Sequence, residues 1–194
     1  VVISANKVAE NKRFVAQQIQ TLSAYQIRLL NAQSAVDLLA QSGNIMVQKS
    51  QQGGGSPILR GFEASRVLLV IDGVRMNNLI YRAGHLQNAV TIDQNILDRV
   101  EILYGPSSTV YGSDALGGVI HFQTKNPLLA TNTEGGKLLT KGSAFGRYGS
   151  VNQEKAGHFD FNIGGKKFGS LTSVTYSDFG DLRMGTKTQA LDTL

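Results

Sequence analysis

The chain has 194 residues, 41% of them hydrophobic and 17% charged, with a formal net charge of +5, 22 glycines, three prolines, no Trp and no Cys. This composition supports a packed core and excludes a wholly disordered chain, disulfides and thiolate metal sites. The basic residues are scattered without a basic run, and His85, His121 and His158 make no ligand spacing, so neither nucleic-acid binding nor a metal or other cofactor is expected.

No stretch approaches the ~20 apolar residues of a membrane helix. That leaves a membrane β-barrel open, because barrel strands are short and only alternate in polarity. No signal peptide is evident, so any export signal is expected to have been removed already. Val1 to Ala5 is a short β-prone run, followed by a polar segment from Asn6 to Arg13. A strand is expected over Gln17 to Leu22, and a short helix capped by Ser23 and running to Asn31. Ser34 with Asp37 three positions on resembles a weak capping box, and Val36, Leu39 and Ala40 form one face of the helix it starts.

Asn44 to Lys49 reads as a strand and Gln51 to Pro57 as a glycine-rich loop. Pro57 to Arg60 and the uniformly apolar Val67 to Ile71 read as further strands, the second buried on both faces and closed by an Asp72-Gly73 turn. Met76 to Asn88 is a long polar stretch, of the kind that often carries function. Strands at Arg99 to Leu103 and Val119 to Phe122 flank a Gly/Pro/Ser-rich connection. Composition changes near Thr124. Beyond it come three strands at about 136–147, 151–163 and 167–178, with a Gly164-Gly165 hairpin turn between the last two. In the middle strand Val151, Gln153, Lys155, Gly157, Phe159, Phe161 and Ile163 face one way, and Asn152, Glu154, Ala156, His158, Asp160 and Asn162 the other.

The stretch EILYGPSSTVYGSDALGGVIHF, residues 101–122, invites three chemical readings. A phosphate loop needs Gly-x-x-x-x-Gly-Lys-Ser/Thr, but Gly105 and Gly112 stand too far apart and no Lys lies between Tyr104 and His121. A dinucleotide fingerprint is absent, and the Gly-x-Ser-x-Gly of a nucleophile elbow is not met. No catalytic cluster is found, and an enzyme is not expected. Packing remains: Pro106 suits the first turn of a short helix to Tyr111, Gly105 and Gly112 bound it, and Gly117-Gly118 lets the next strand pass close to neighbouring backbone.

Leu59-Arg-Gly-Phe62, Val67-Leu-Leu-Val-Ile-Asp-Gly-Val-Arg75, Arg99-Val-Glu-Ile-Leu-Tyr-Gly-Pro106 and Val110-Tyr-Gly-Ser-Asp-Ala-Leu-Gly-Gly-Val-Ile120 together resemble the plug domain of TonB-dependent outer-membrane transporters, in that family's order and spacing. The resemblance covers about residues 1–125, and 136–178 are similar to the first barrel strands after a plug. It implies an α+β plug with a small mixed β-sheet and short helices, then the first antiparallel strands of a transmembrane β-barrel of about 22 strands. The implied organisation is a Ton-box-like segment at 1–5, a plug at 6–127, and an incomplete barrel at 128–194. Three strands cannot close a barrel, so the chain is expected to be a fragment or the observed start of a longer one.

The resemblance also assigns residues. Val1, Val2, Ile3, Ser4 and Ala5 resemble the end of a Ton box, the segment engaged by the periplasmic energy-coupling protein TonB; an extended β-branched run can add to a partner's sheet edge. A frayed N-terminal strand is the alternative. Arg60 matches a plug arginine that meets acidic groups of the barrel, and Arg99 and Glu101 are placed among the same plug–barrel charge contacts or as a pair of their own. The family's second arginine is replaced by Tyr104. Two loops rise towards substrate, with Gln51, Gln52, Ser56, Asn77, Tyr81, Arg82, His85, Gln87 and Asn88 as ligand-facing residues. Tyr81 and His85 could ligate haem iron or stack on a ring, or simply stand in solvent. His121 is expected to be structural and His158 to face the barrel lumen.

The function implied is energised uptake of a scarce nutrient complex (an iron-siderophore, haem or cobalamin) across a bacterial outer membrane, with TonB, outer-membrane lipid and the nutrient ligand as partners. A transporter-like signalling receptor, or an isolated ligand-binding plug without transport, is the alternative.

Overall fold

A computed structural model of the chain describes residues 2, 4–51, 54–63, 66–76, 88–130 and 138–181. These fall into two compact units, Val1–Asn126 and Pro127–Leu194.

The first unit is built on a five-stranded mixed sheet. Its strands are β1 (Ile19–Ser23), β4 (Val67–Ile71), β5 (Val74–Arg75), β6 (Leu97–Tyr104) and β7 (Gly118–Thr124), in the order β1-β6-β7-β4-β5. Within it the β4–β7 pairing is parallel and the other three are antiparallel. The central strands β6, β7 and β4 bury residues on both faces over most of their length, the pattern expected where each face is covered. One face carries Leu22, Val100, Ile102, Ile120 and Phe122 and packs on two short helices. The other carries Ile19, Leu68, Val70, Leu103 and Val119.

The helices end where their caps dictate. Ser23 opens α1 (Ala24–Leu30) with a full capping box, since its hydroxyl accepts from Gln26 N and its own N–H donates to Gln26 Oε1 at 2.9 Å. Asn31 closes it in the left-handed region at φ +45°. Ser34 caps α2 (Ala35–Gln41) by accepting from Asp37 N at 3.2 Å. Ala35, Val36, Leu38 and Leu39 form the buried side of α2, whereas Ala40, expected on that face, is exposed.

The expected glycine-rich loop at 51–57 is instead half of a hairpin, β2 (Met46–Gln51) against β3 (Gly54–Ile58). The reason lies in packing against α2. A Cβ on Gly55 would stand 2.8 Å from Cγ1 of both Val36 and Val47, so the bare backbone lets the hairpin close onto the helix. The strand expected at Pro57 to Arg60 turns back at Arg60-Gly61, with φ +49° and +84°, to bridge Leu59 to Phe62. The helix expected from Pro106 is shorter, α3 (Ser108–Tyr111), because Ser107 precedes it as the N-cap with non-helical φ −126° and ψ 20°.

The second unit is a three-stranded antiparallel sheet, β8 (Leu139–Gly149), β9 (Glu154–Gly164) and β10 (Gly169–Asp178), ordered β10-β9-β8. Its polarity is inverted relative to a water-soluble sheet. Phe159, Phe161 and Ile163 of β9 are exposed, while Glu154, His158 and Asn162 on the opposite face are buried. Val174 and Tyr176 of β10 and Tyr148 of β8 extend the exposed apolar face. On the covered face, Arg147 Nη2 pairs with Glu154 at 2.6 Å, His158 contacts Thr175 Oγ1 at 2.7 Å, and Asn162 bonds both ways with the backbone of Leu128.

Candidate functional site

Residues at the N-terminus are seated on the sheet face formed by Ile19, Leu103 and Val119. Val2 exchanges both main-chain hydrogen bonds with Glu10, at 2.8 and 2.9 Å, which closes a small hairpin. Val2 and Ala5 are buried among Ile19, Leu103, Val119 and Tyr111. Ser4, fully buried, donates its N–H to Glu101 Oε2 at 2.8 Å, and its carbonyl accepts from the Tyr111 hydroxyl at 2.7 Å. Lys7 sets its ammonium 5.0 Å from the centre of the Tyr111 ring. Val1 and Ile3 lie outside the described residues.

Glu101 is the centre of this arrangement. It sits in β6 with no exposed surface, directly opposite Thr21 of β1 and His121 of β7. A buried carboxylate is tolerable only with compensating donors and charge. Here they are Ser4 N, Gln123 Nε2 at 3.3 Å, and Arg99, whose Nε stands 3.0 Å away as an ion pair outside hydrogen-bond alignment. Burial pushes the Tyr111 phenol above its usual pKa, and the Glu101 charge pushes it the same way. Burial also lowers the pKa of His121, against the opposing pull of Glu101 and Asp72. The His121 ring accepts from Gly73 N through Nε2 at 3.0 Å, so its structural role is to hold the Asp72-Gly73 turn.

Arg99 and Glu101 therefore pair with each other inside the plug-like unit. This is the second of the two arrangements expected for Arg99 and Glu101 from the sequence. Arg60 is exposed. It bonds Gln18 Oε1 and lies 5.2 Å over the Tyr104 ring. Tyr104 thus receives the arginine by stacking, and its hydroxyl donates to Gln20 Oε1 at 2.7 Å. Arg75 and Asp114 join two of the signature stretches by a 2.6 Å ion pair.

Of the ligand-facing residues expected from sequence, Ser56 is buried in β3 opposite Gln48. Gln51 ends β2 and Asn88 opens a 3-10 turn to Thr91. Gln52, Asn77, Tyr81, Arg82, His85 and Gln87 lie outside the described residues. Sequence reasoning missed Tyr111 and the role of Ser4. The available signal was Glu101 itself, a carboxylate inside the run Val100-Glu-Ile-Leu103 of a central strand, which must find donors somewhere in the fold.

A mixed sheet with an N-terminal segment seated on it is followed along the chain by an antiparallel sheet of inverted polarity. The chain belongs to the TonB-dependent receptor plug domain family, whose sequence model matches residues 11–119. It is 36% identical over 129 residues to the vitamin B12 transporter BtuB of Vibrio vulnificus, covering 64% of this chain and 20% of that one. It is also 34% identical over 157 residues to the hemin receptor of Yersinia enterocolitica, covering 80% and 20%. Among solved structures, the Serratia marcescens hemophore receptor HasR, in complex with its hemophore HasA and heme, superimposes with a TM-score of 0.65 at 25% identity, over 82% of this chain and 24% of that one. The chain spans about a fifth of the length of the curated relatives it matches.

Proposed function

We propose that this chain supplies the gating plug and first wall strands of an outer-membrane importer that takes up a cobalamin, haem or iron-siderophore complex, with TonB engaging residues 1–5. The observation that carries the reading is the sheet Leu139–Asp178, which exposes Phe159, Phe161, Ile163, Val174 and Tyr176 while covering His158, Asn162 and the Arg147–Glu154 pair. Such a face is costly in water and suited to hydrocarbon, with Tyr148 opposite Lys155 and Tyr176 opposite Gly157, on the two strands that flank β9, as an interfacial belt. The family match, together with the vitamin B12 and hemin ligands of two relatives, supports the ligand class. Ligand contact is assigned to Gln51, Gln52, Asn77, Tyr81, Arg82, His85, Gln87 and Asn88.

The test is equilibrium binding by the full-length chain to cobalamin, haem and a ferric-siderophore panel. One ligand class is expected to bind, and Tyr81→Ala and His85→Ala are each expected to weaken it about tenfold. Unchanged affinity in both variants would remove the loop assignment, and no binding to any of the three classes would remove the importer reading.

A further inference from the structure

The Asp72-Gly73 turn between β4 and β5 is tied to β7 in two places. On the Asp72 side, its N–H donates to Phe122 O at 3.0 Å, and its carboxylate accepts from Thr124 N at 2.9 Å and from the Thr124 hydroxyl at 2.7 Å. On the Gly73 side the tie is an imidazole, since Gly73 N donates to His121 Nε2 at 3.0 Å. Beyond Gly73 the chain is lightly held. β5 consists of two exposed residues, Val74 and Arg75, which pair with β4 alone, and Arg75 adds one exposed ion pair with Asp114. Met76, whose N–H donates to Leu69 O at 2.9 Å, then leads into the stretch assigned to ligand contact.

Because Nε2 of His121 accepts, the proton of the neutral ring sits on Nδ1. Nδ1 is buried without a hydrogen-bond partner among the described residues. An imidazolium donates from both nitrogens. In this seat one of them would face another donor and the other has no acceptor, in a residue only 4% exposed. The charged groups around the ring are Glu101 and Arg99 of β6 and Asp72 of the turn, while Val70 of β4 and Gln123 of β7 are neutral neighbours. Burial lowers the pKa of the ring most, Glu101 and Asp72 raise it, and Arg99 lowers it. A proton taken up is therefore drawn towards the carboxylates and away from Gly73.

We propose that His121 is a proton-operated catch for the β4–β5 hairpin: the neutral ring holds Gly73, and the protonated ring releases the chain from Gly73 to Arg75. Acid thereby loosens the entry to the stretch beyond Met76. The sign follows from the seat. A histidine whose closed-state pKa lies below its free value takes its proton more readily in the open form, so the closed hairpin is fully favoured above about pH 6.5 and loses ground as pH falls below that.

The test is hydrogen–deuterium exchange of the full-length chain in detergent, read by mass spectrometry on peptides covering residues 70–76 and, as the control, α2. Each rate is referred to the intrinsic rate at that pH. From about pH 7.5 to about pH 5, protection of 70–76 is expected to fall about tenfold, while that of α2 stays level. The range stops above the region in which carboxylates ordinarily titrate. His121→Gln offers Gly73 an amide oxygen that does not take up a proton in this range, and is expected to keep the hairpin closed with a flat profile. His121→Leu offers no acceptor, and is expected to leave 70–76 poorly protected throughout. Level protection of 70–76 in the unsubstituted chain overturns the catch. So does a His121→Gln profile that falls as the unsubstituted chain's does, because the proton then acts elsewhere.

Discussion

Deleting Val1 to Ala5 from the full-length protein is expected to abolish energised uptake and to leave ligand affinity within about twofold of the parent, because truncation at one face of the plug leaves the ligand loops untouched. A strand-adding partner draws its affinity from main-chain hydrogen bonds, and the deletion removes every donor and acceptor of the segment. The plug is expected to survive it. Val2 and Ala5 leave one hydrophobic cluster, but Ile19, Leu68, Val70, Leu103, Tyr111, Ala115 and Val119 remain in that cluster, and the helix-side core is untouched. Glu101 loses the Ser4 donor and keeps Arg99 and Gln123. Uptake of radiolabelled ligand by whole cells, set beside binding to isolated outer membranes, separates the two effects. Preserved uptake would refute the assignment of residues 1–5, and lost binding would mean that the deletion had damaged the plug.

The second large effect is structural. Gly118→Ala is expected to cost about 3 kcal/mol or more, through a clash and a backbone conformation that L side chains rarely adopt. At Gly118 φ is +153°, and a Cβ would lie 2.4 Å from Leu103 O and 2.9 Å from Leu59 Cδ1. Neither neighbour can retreat easily, because Leu103 is in the central strand β6 and Leu59 is fully buried. Gly117→Ala is expected to follow it, since its Cβ would fall 2.2 Å from Phe62 Cβ. A single-domain protein of ordinary stability has about 5–15 kcal/mol to lose, so either change removes a large part of it. Gly157→Ala is the control, since nothing lies within 4 Å of its added methyl. Limited proteolysis of the plug in outer membranes reads the outcome. Gly118→Ala should be cleaved and Gly157→Ala should resist, and equal resistance would contradict the packing role assigned to residues 117–118.

Gly117 and Gly118 are legible in the sequence because close approach of two strands leaves a local mark there. The alternation of β9 is legible for the same reason: a period of two places Phe159, Phe161 and Ile163 on one face whatever surrounds them. The hairpin β2–β3 is not, because Gln-Gly-Gly-Gly-Ser carries the chemistry of a turn, and it is the packing of Gly55 against Val36 of a helix and Val47 of the partner strand that requires a bare backbone there. The face of α2 is misjudged at Ala40 because a seven-residue helix gives too few turns to fix its orientation. The seat of the N-terminal segment is illegible for a different reason. Its bonds join Ser4 to Glu101 and Tyr111 across most of the unit, and no local pattern marks a main-chain amide as the partner of a distant carboxylate. Tyr104 stands out in the sequence as a departure from the family's arginine, and the Arg60 guanidinium over its ring gives that departure a physical use.

If this chain gates an importer driven through TonB, paired uptake in cells with and without the energy-coupling protein tests that role most directly. The full-length chain, expressed in both strains, is expected to bind its ligand equally in each and to accumulate it only where TonB is present. Equal accumulation in the two strains would contradict a TonB-driven gate.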